Sequence, residues 1–184
     1  MIPREELITK GPPAALRAAA YARALFEAFG FDACTINVYQ GRDAAAPFLA
    51  YRDRGVFVLC RTSNPSAPDV QDGLVDGRPV YQHVAGRAVE WNEAGNCGLV
   101  VGATYPAELA AVRALAPGLP ILIPGVGAQG GDAAAAARAA AGGPFVVSSS
   151  RAIIYASGGD DFAEAAGRAA LALRDQIAAA FAPA

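Results

Sequence analysis

The chain has 184 residues, 54% of them hydrophobic and 17% charged, with a net charge of −2 and a pI near 5.4. That length suffices for one domain with a sizeable core, and the interspersed acids and bases leave no basic face for a nucleic-acid backbone. No apolar run reaches the roughly 18 residues of a membrane span without a charge, Gly or Pro, and alanine runs such as 133–137 read as helix packing faces instead.

Residues 14–29 contain neither Gly nor Pro and end at Gly30, which predicts a helix with a glycine stop. A short strand over 32–37 and a brief helix over 44–53 follow. Residues 55–60 are continuously apolar, as a strand buried on both faces requires. Residues 64–78 are polar and rich in Pro and Gly, and predict a loop longer than a simple connector, a length that often carries function. Val80, Val84, Ala88 and Trp91 recur at helical spacing. Beyond them come a strand over 97–101, a helix after Pro106 bearing Leu109, Val112 and Leu115, and a strand over 120–123. Asp132 suits the N-cap of another helix. The last strand covers 145–148, and an amphipathic helix over 162–181 closes the chain with Ala166, Ala170, Leu173 and Ile177 on one stripe.

Five short buried strands separated by helices mean parallel pairing with right-handed crossovers. Periodicity does not separate a doubly wound sheet from a barrel. The unusual residues do favour one of them. Thr62-Ser63-Asn64, Gly102-Ala103-Thr104, Pro124 to Gly127 and Ser149-Ser150-Arg151 all follow C-terminal strand ends. A (β/α)8 barrel builds its site on that face and holds phosphate in the loops after its last two strands.

Cys34, Cys60 and Cys97 each sit in an apolar run, and their odd number without CxxC spacing supports neither a disulfide framework nor a zinc site. They read as small buried hydrophobes of a protein in a reducing, cytoplasmic compartment. His83 is the only histidine, which excludes a histidine-cluster metal site. Met1 to Lys10 is mixed in charge and lacks the apolar core of a secretory signal.

The segment Ile123 to Asp132 holds Gly125, Gly127, Gly130 and Gly131, which permit close backbone approach to a phosphate, and Gln129 adds a side-chain donor. By itself it is equally compatible with a ligand-free glycine turn. Arg151, after the next strand, offers a bidentate fork to phosphate oxygens or, alternatively, a surface salt bridge. One helix and one strand separate the two elements, and together they favour phosphate. Arg61 to Ser66 opens the long loop with hydroxyl and amide groups suited to a polar heterocycle, or forms an ordinary Asn-Pro turn.

Asn37 to Gly41, Gly55 to Pro65, Gly98 to Pro106, Ile123 to Asp132 and Ser149 to Arg151 together resemble orotidine 5′-phosphate decarboxylase of the bacterial and mycobacterial type, in that family's order and spacing, from about Ala20 onward. The resemblance implies an α/β fold of the (β/α)8 TIM-barrel family, represented by about five βα units of its C-terminal portion. It places residues 18–184 in the barrel portion of a single domain over 1–184, with a divergent segment over 1–17. It implies decarboxylation of orotidine monophosphate to uridine monophosphate without metal or organic cofactor, in a homodimer, with no nucleic-acid or membrane partner. Gln129 and Arg151 would hold the 5′-phosphate with Gly125, Gly127 and Gly130 in the phosphate loop. Ser63 would bond the pyrimidine's amide edge, Pro124 would border the ring, and the loop after Ser63 would close over the nucleotide.

The family's Asp-x-Lys-x-x-Asp segment aligns with residues 8–13. Lys10 takes the position of the proton-donating lysine, while Ile8 and Pro13 replace both carboxylates. The abrupt loss of similarity before Ala18 suits an altered reading frame or start better than gradual divergence. Two functions follow as expectations: the decarboxylase itself, or a non-catalytic binder of nucleotide monophosphates. A different phosphosugar barrel, such as a relative of keto-gulonate phosphate decarboxylase, is a more distant third.

Overall fold

The computed structural model describes residues 14–127 and 130–182. Helix α1 (Ala14–Arg23) continues into a π turn (Ala24–Ala28), and the chain reverses at Gly30 with φ +68°. The repeat then runs β1 (Ala33–Ile36), α2 (Arg42–Leu49) and β2 (Gly55–Arg61). It continues through α4 (Val80–Trp91), β5 (Cys97–Val101), α5 (Pro106–Leu115), β6 (Ile121–Pro124), α6 (Ala133–Ala140) and β7 (Phe145–Ser148). A short helix α7 (Ser150–Ile154) precedes the closing α8 (Phe162–Ala179).

Five strands form one parallel sheet in the order β1-β2-β5-β6-β7. Strand order follows chain order without a reversal, so the sheet has no topological switch point of the doubly wound kind. The helices α1, α2, α4, α5, α6 and α8 pack each against the next, as a single outer layer. Both features are those of an arc of a (β/α)8 barrel.

The core lies between sheet and helices. Val56, Val58, Leu99, Leu109, Ile121 and Ile123 are fully buried, each stabilising the fold by about 1.5–3 kcal/mol relative to exposure. On β2 the buried positions alternate from Val56 to Val58 to Cys60, whose Sγ reaches the Tyr81 carbonyl of α4 at 3.1 Å, so this is the helix-facing side. All five residues of the central β5 are buried, while the outer β7 leaves Val146 exposed.

Four expectations are corrected. Residues 64–78 are not a plain loop: they contain a one-turn helix, α3 (Pro68–Gln71), and a hairpin of β3 (Leu74–Val75) and β4 (Arg78–Pro79). Asp76 and Gly77 both take positive φ at its tip, the conformation of a tight two-residue turn, and two-residue strands are too short to show a period. On α4 the expected stripe is incomplete: Ala88 is buried and Val84 and Trp91 pack against the core, but Val80 is only half-buried, and Tyr81 and Ala85 complete the buried face. The small alanines let the helix approach β2 closely. Cys34, on an outer strand, is only partly buried, whereas Cys60 and Cys97 are buried as expected. On α8 Leu173 and Ile177 pack on the core but Ala170 is exposed, with Ala165 buried instead.

Candidate functional site

The loops after β2, β5, β6 and β7 meet at the C-terminal end of the sheet. After β6 the chain turns at Gly125 (φ +94°), Gly127 (φ +77°) and Gly130 (φ +81°), conformations that glycine adopts without strain. The loop is closed by its own backbone: the Gly127 amide donates to Gly131 O (3.2 Å), Gly130 to Gly127 O (2.8 Å) and Gly131 to Gly125 O (3.2 Å). Gly131 abuts the next loop, since a Cβ there would lie 2.6 Å from the Ala103 Cβ. The Ala103 amide in turn donates to Pro124 O at 2.9 Å.

Pro124, Gly125 and Val126 face Ser148 to Arg151 across a cavity of about 160 Å³. Buried Ser149 joins the two walls by donating to Val126 O at 3.0 Å. The Ser148 and Ser150 hydroxyls lie 3.4 Å apart on the same wall. Arg151, in the first turn of α7, is exposed, and no acidic side chain among the described residues pairs with it. A surface ion pair therefore does not account for this arginine among those residues.

The first amides of α6 do not point freely at the cavity, because Asp132 Oδ1 already accepts from Ala134 N (2.8 Å) and Ala135 N (3.1 Å). Gly127, Gly130 and Gly131 likewise use their amides inside the loop. The groups that border the cavity are Arg151, the serines and the loop backbone at 124–126.

Ser63 stands at the end of β2. The strand carries a bulge between Leu59 and Arg61, where pairing shifts from Val100 to Val101, and such bulges re-aim the chain. Here Cys60 and Arg61 are both buried, and Thr62 and Ser63 leave the sheet directly. Gly102 backs Ser63 closely: a Cβ on Gly102 would come within 2.7 Å of the Ser63 Cβ, and the Gly102 amide holds Arg61 O at 2.8 Å. Arg61 is 1% exposed. Its Nη1 donates to Gln71 Oε1 (3.2 Å), its Nη2 pairs with Asp72 Oδ2 (3.3 Å), and its Cζ sits 4.0 Å from the centroid of the Tyr105 ring. Gln71 also accepts from Thr62 N (2.9 Å) and donates to Thr62 Oγ1 (2.8 Å), which closes the 62–71 segment into a ring.

The structure thus brings Ser63, Pro124, Gly125, Gly127, Gly130 and Arg151 to one end of the sheet. Gln129 and Lys10 lie outside the described residues, as do Ile8 and Pro13. Sequence reasoning does not single out Tyr105, and it names Arg61, Ser149 and Gly131 only as members of motifs, with no role of their own. The available signals were a lone arginine ending an apolar run and a Gly-Gly pair before a cap. Among the described residues no group of three His, Cys, Asp or Glu side chains could hold a metal ion, and no helix is long and apolar enough to cross a membrane.

The family model for the orotidine 5′-phosphate decarboxylase / HUMPS family matches residues 16–167. This chain belongs to that family. The orotidine 5′-phosphate decarboxylase of Bordetella avium is 55% identical over 163 residues, covering 85% of this chain and 60% of the relative. That of Polaromonas naphthalenivorans is 57% identical over 167 residues, covering 87% and 59%. The chain therefore spans about 60% of the length of these curated relatives. Leishmania donovani OMP decarboxylase superposes with a TM-score of 0.78 at 38% identity, over 91% of this chain and 64% of that one. The UMP synthase of the same organism superposes at 0.82 and 40%, over 91% and 37%. The arc of five βα units is thus part of the decarboxylase family's TIM barrel.

Proposed function

We propose that the chain serves orotidine 5′-phosphate decarboxylation, the step that forms uridine monophosphate and carbon dioxide, and that its described part grips the nucleotide. The observation that carries this reading is the cavity between Pro124–Val126 and Ser148–Arg151, at the C-terminal ends of adjacent strands in a member of this family. An exposed guanidinium beside serine hydroxyls matches the chemistry of a phosphate dianion. Ser63, two strands away and backed by Gly102, is the donor and acceptor offered to the pyrimidine's amide edge, with Pro124 against the ring. Gln129 adds a second phosphate donor. Phosphate contacts remote from the reacting carbon supply binding energy that can be used at the carboxylate.

A second reading has its own support. Ile8 and Pro13 stand where the family has carboxylates, so Lys10 lacks the flanking charges that would orient an ammonium for proton delivery. A non-catalytic nucleotide-monophosphate binder would keep the phosphate grip and Ser63 without the chemistry. The one-domain organisation with residues 18–184 as its barrel portion, a homodimer and a cytoplasmic location belong to the same proposal by descent.

Loss of orotidine monophosphate, followed by absorbance, separates the two readings. Turnover above the buffer rate supports the decarboxylase, and a rate equal to buffer removes catalysis by this chain on its own. Calorimetric titration of uridine monophosphate tests the shared part. Arg151→Ala should weaken binding by about 10- to 100-fold, the worth of one charge-assisted bidentate contact. Equal, negligible binding by wild type and variant would sink both readings.

A further inference from the structure

We propose that Arg61 is a positioning residue that sets base recognition by fixing where Ser63 and the 62–72 segment leave β2. The inference rests on the nucleotide reading above. A guanidinium that is 1% exposed is an expensive way to gain stability, because desolvation offsets most of the attraction to its partner. Its geometry suits alignment. The planar group lies on the Tyr105 ring at 4.0 Å, which belongs to the loop after β5, while its two terminal nitrogens reach Gln71 and Asp72 at the far end of the 62–72 segment. One side chain therefore ties the start of the segment, its end and the neighbouring loop to the β2 bulge.

Lysine would retain the charge but not the flat, two-pronged shape. Arg61 has no part in the phosphate cavity, which lies beyond β5. Its loss should therefore act on the base and spare the phosphate.

The test uses the full chain as R61K and, independently, D72N, with uridine monophosphate and ribose 5-phosphate as calorimetric probes. Both variants should bind uridine monophosphate about tenfold more weakly and ribose 5-phosphate within about twofold of wild type. Limited proteolysis without ligand should cut the 62–72 segment faster in both variants. Equal weakening toward both probes would reduce Arg61 to a general structural role and overturn the proposal. Unchanged proteolysis would refute the anchoring itself, even if wild type bound neither probe. Wild-type failure to prefer uridine monophosphate, with proteolysis altered as expected, would overturn the base-recognition role and the nucleotide reading while leaving the anchor in place.

Discussion

Arg113 is buried and bonds five carbonyl oxygens through all three guanidinium nitrogens: Ala140 from Nε, Ala116, Pro117 and Leu119 from Nη1, and Pro144 from Nη2. These carbonyls lie in the connections that enter β6 and β7, on the opposite end of the sheet from the cavity between Pro124–Val126 and Ser148–Arg151. Gly143 is needed beside it, since a Cβ there would collide with Arg113 and the Pro117 carbonyl. Replacing Arg113 by Met should cost on the order of 3 kcal/mol in urea unfolding, because five buried carbonyls lose a donor and only some, such as Ala116 O and Pro144 O, keep a backbone one, and should leave ligand affinity in the folded fraction unchanged. The cysteines set a pH limit. Burial pushes the Cys60 thiol up to about 12, and those of Cys34 and Cys97 to about 11, from an ordinary 9.0. Thiols raised in the fold favour it fully below their unfolded value and lose that contribution as pH rises through the folded ones. The urea midpoint should therefore hold to about pH 9 and fall toward pH 12. A midpoint that did not fall across that range would contradict the burial of these groups.

At the scale of elements, α6 depends on its cap. Asp132→Ala frees the Ala134 and Ala135 amides and should lower stability by about 1 kcal/mol. If the cap competes with an anion for those amides, phosphate affinity would rise in this variant. If Arg151 and the serines do the holding, as the geometry of the cavity favours, affinity stays level, and phosphate titration reads the difference. Most elements were legible: β2, β5 and β7 from their continuous apolar runs, α6 from Asp132, and α1 from its Gly30 stop. The β3-β4 hairpin and α7 were not, because their stability derives from neighbours. The hairpin is held by the Asp76-Gly77 turn and by His83 Nε2 against Val75 O at 2.7 Å, and neither interaction leaves a periodic trace.

At the scale of the molecule, ligand and fold should be linked. Uridine monophosphate at about one hundred times its Kd should stabilise the folded chain by about 2.7 kcal/mol. Thermal unfolding should show the shift in wild type and lose most of it in Arg151→Ala at the same concentration. A shift equal in both would place the ligand away from Arg151. The residues of the proposed site stand out in sequence as glycine, serine and arginine runs after strands, the residue types that phosphate recognition would demand at strand ends. By itself the sequence determined the alternation of strand and helix, the buried runs and the family, because hydrophobic period and local motif are properties of neighbours along the chain. The tertiary structure alone decided that strand order follows chain order without a switch point, and that Gly131 packs against the Ala103 loop. It also decided that Arg61 joins three distant segments. Each of these depends on which residues meet across the sheet, a matter of packing and strand order that no local pattern encodes.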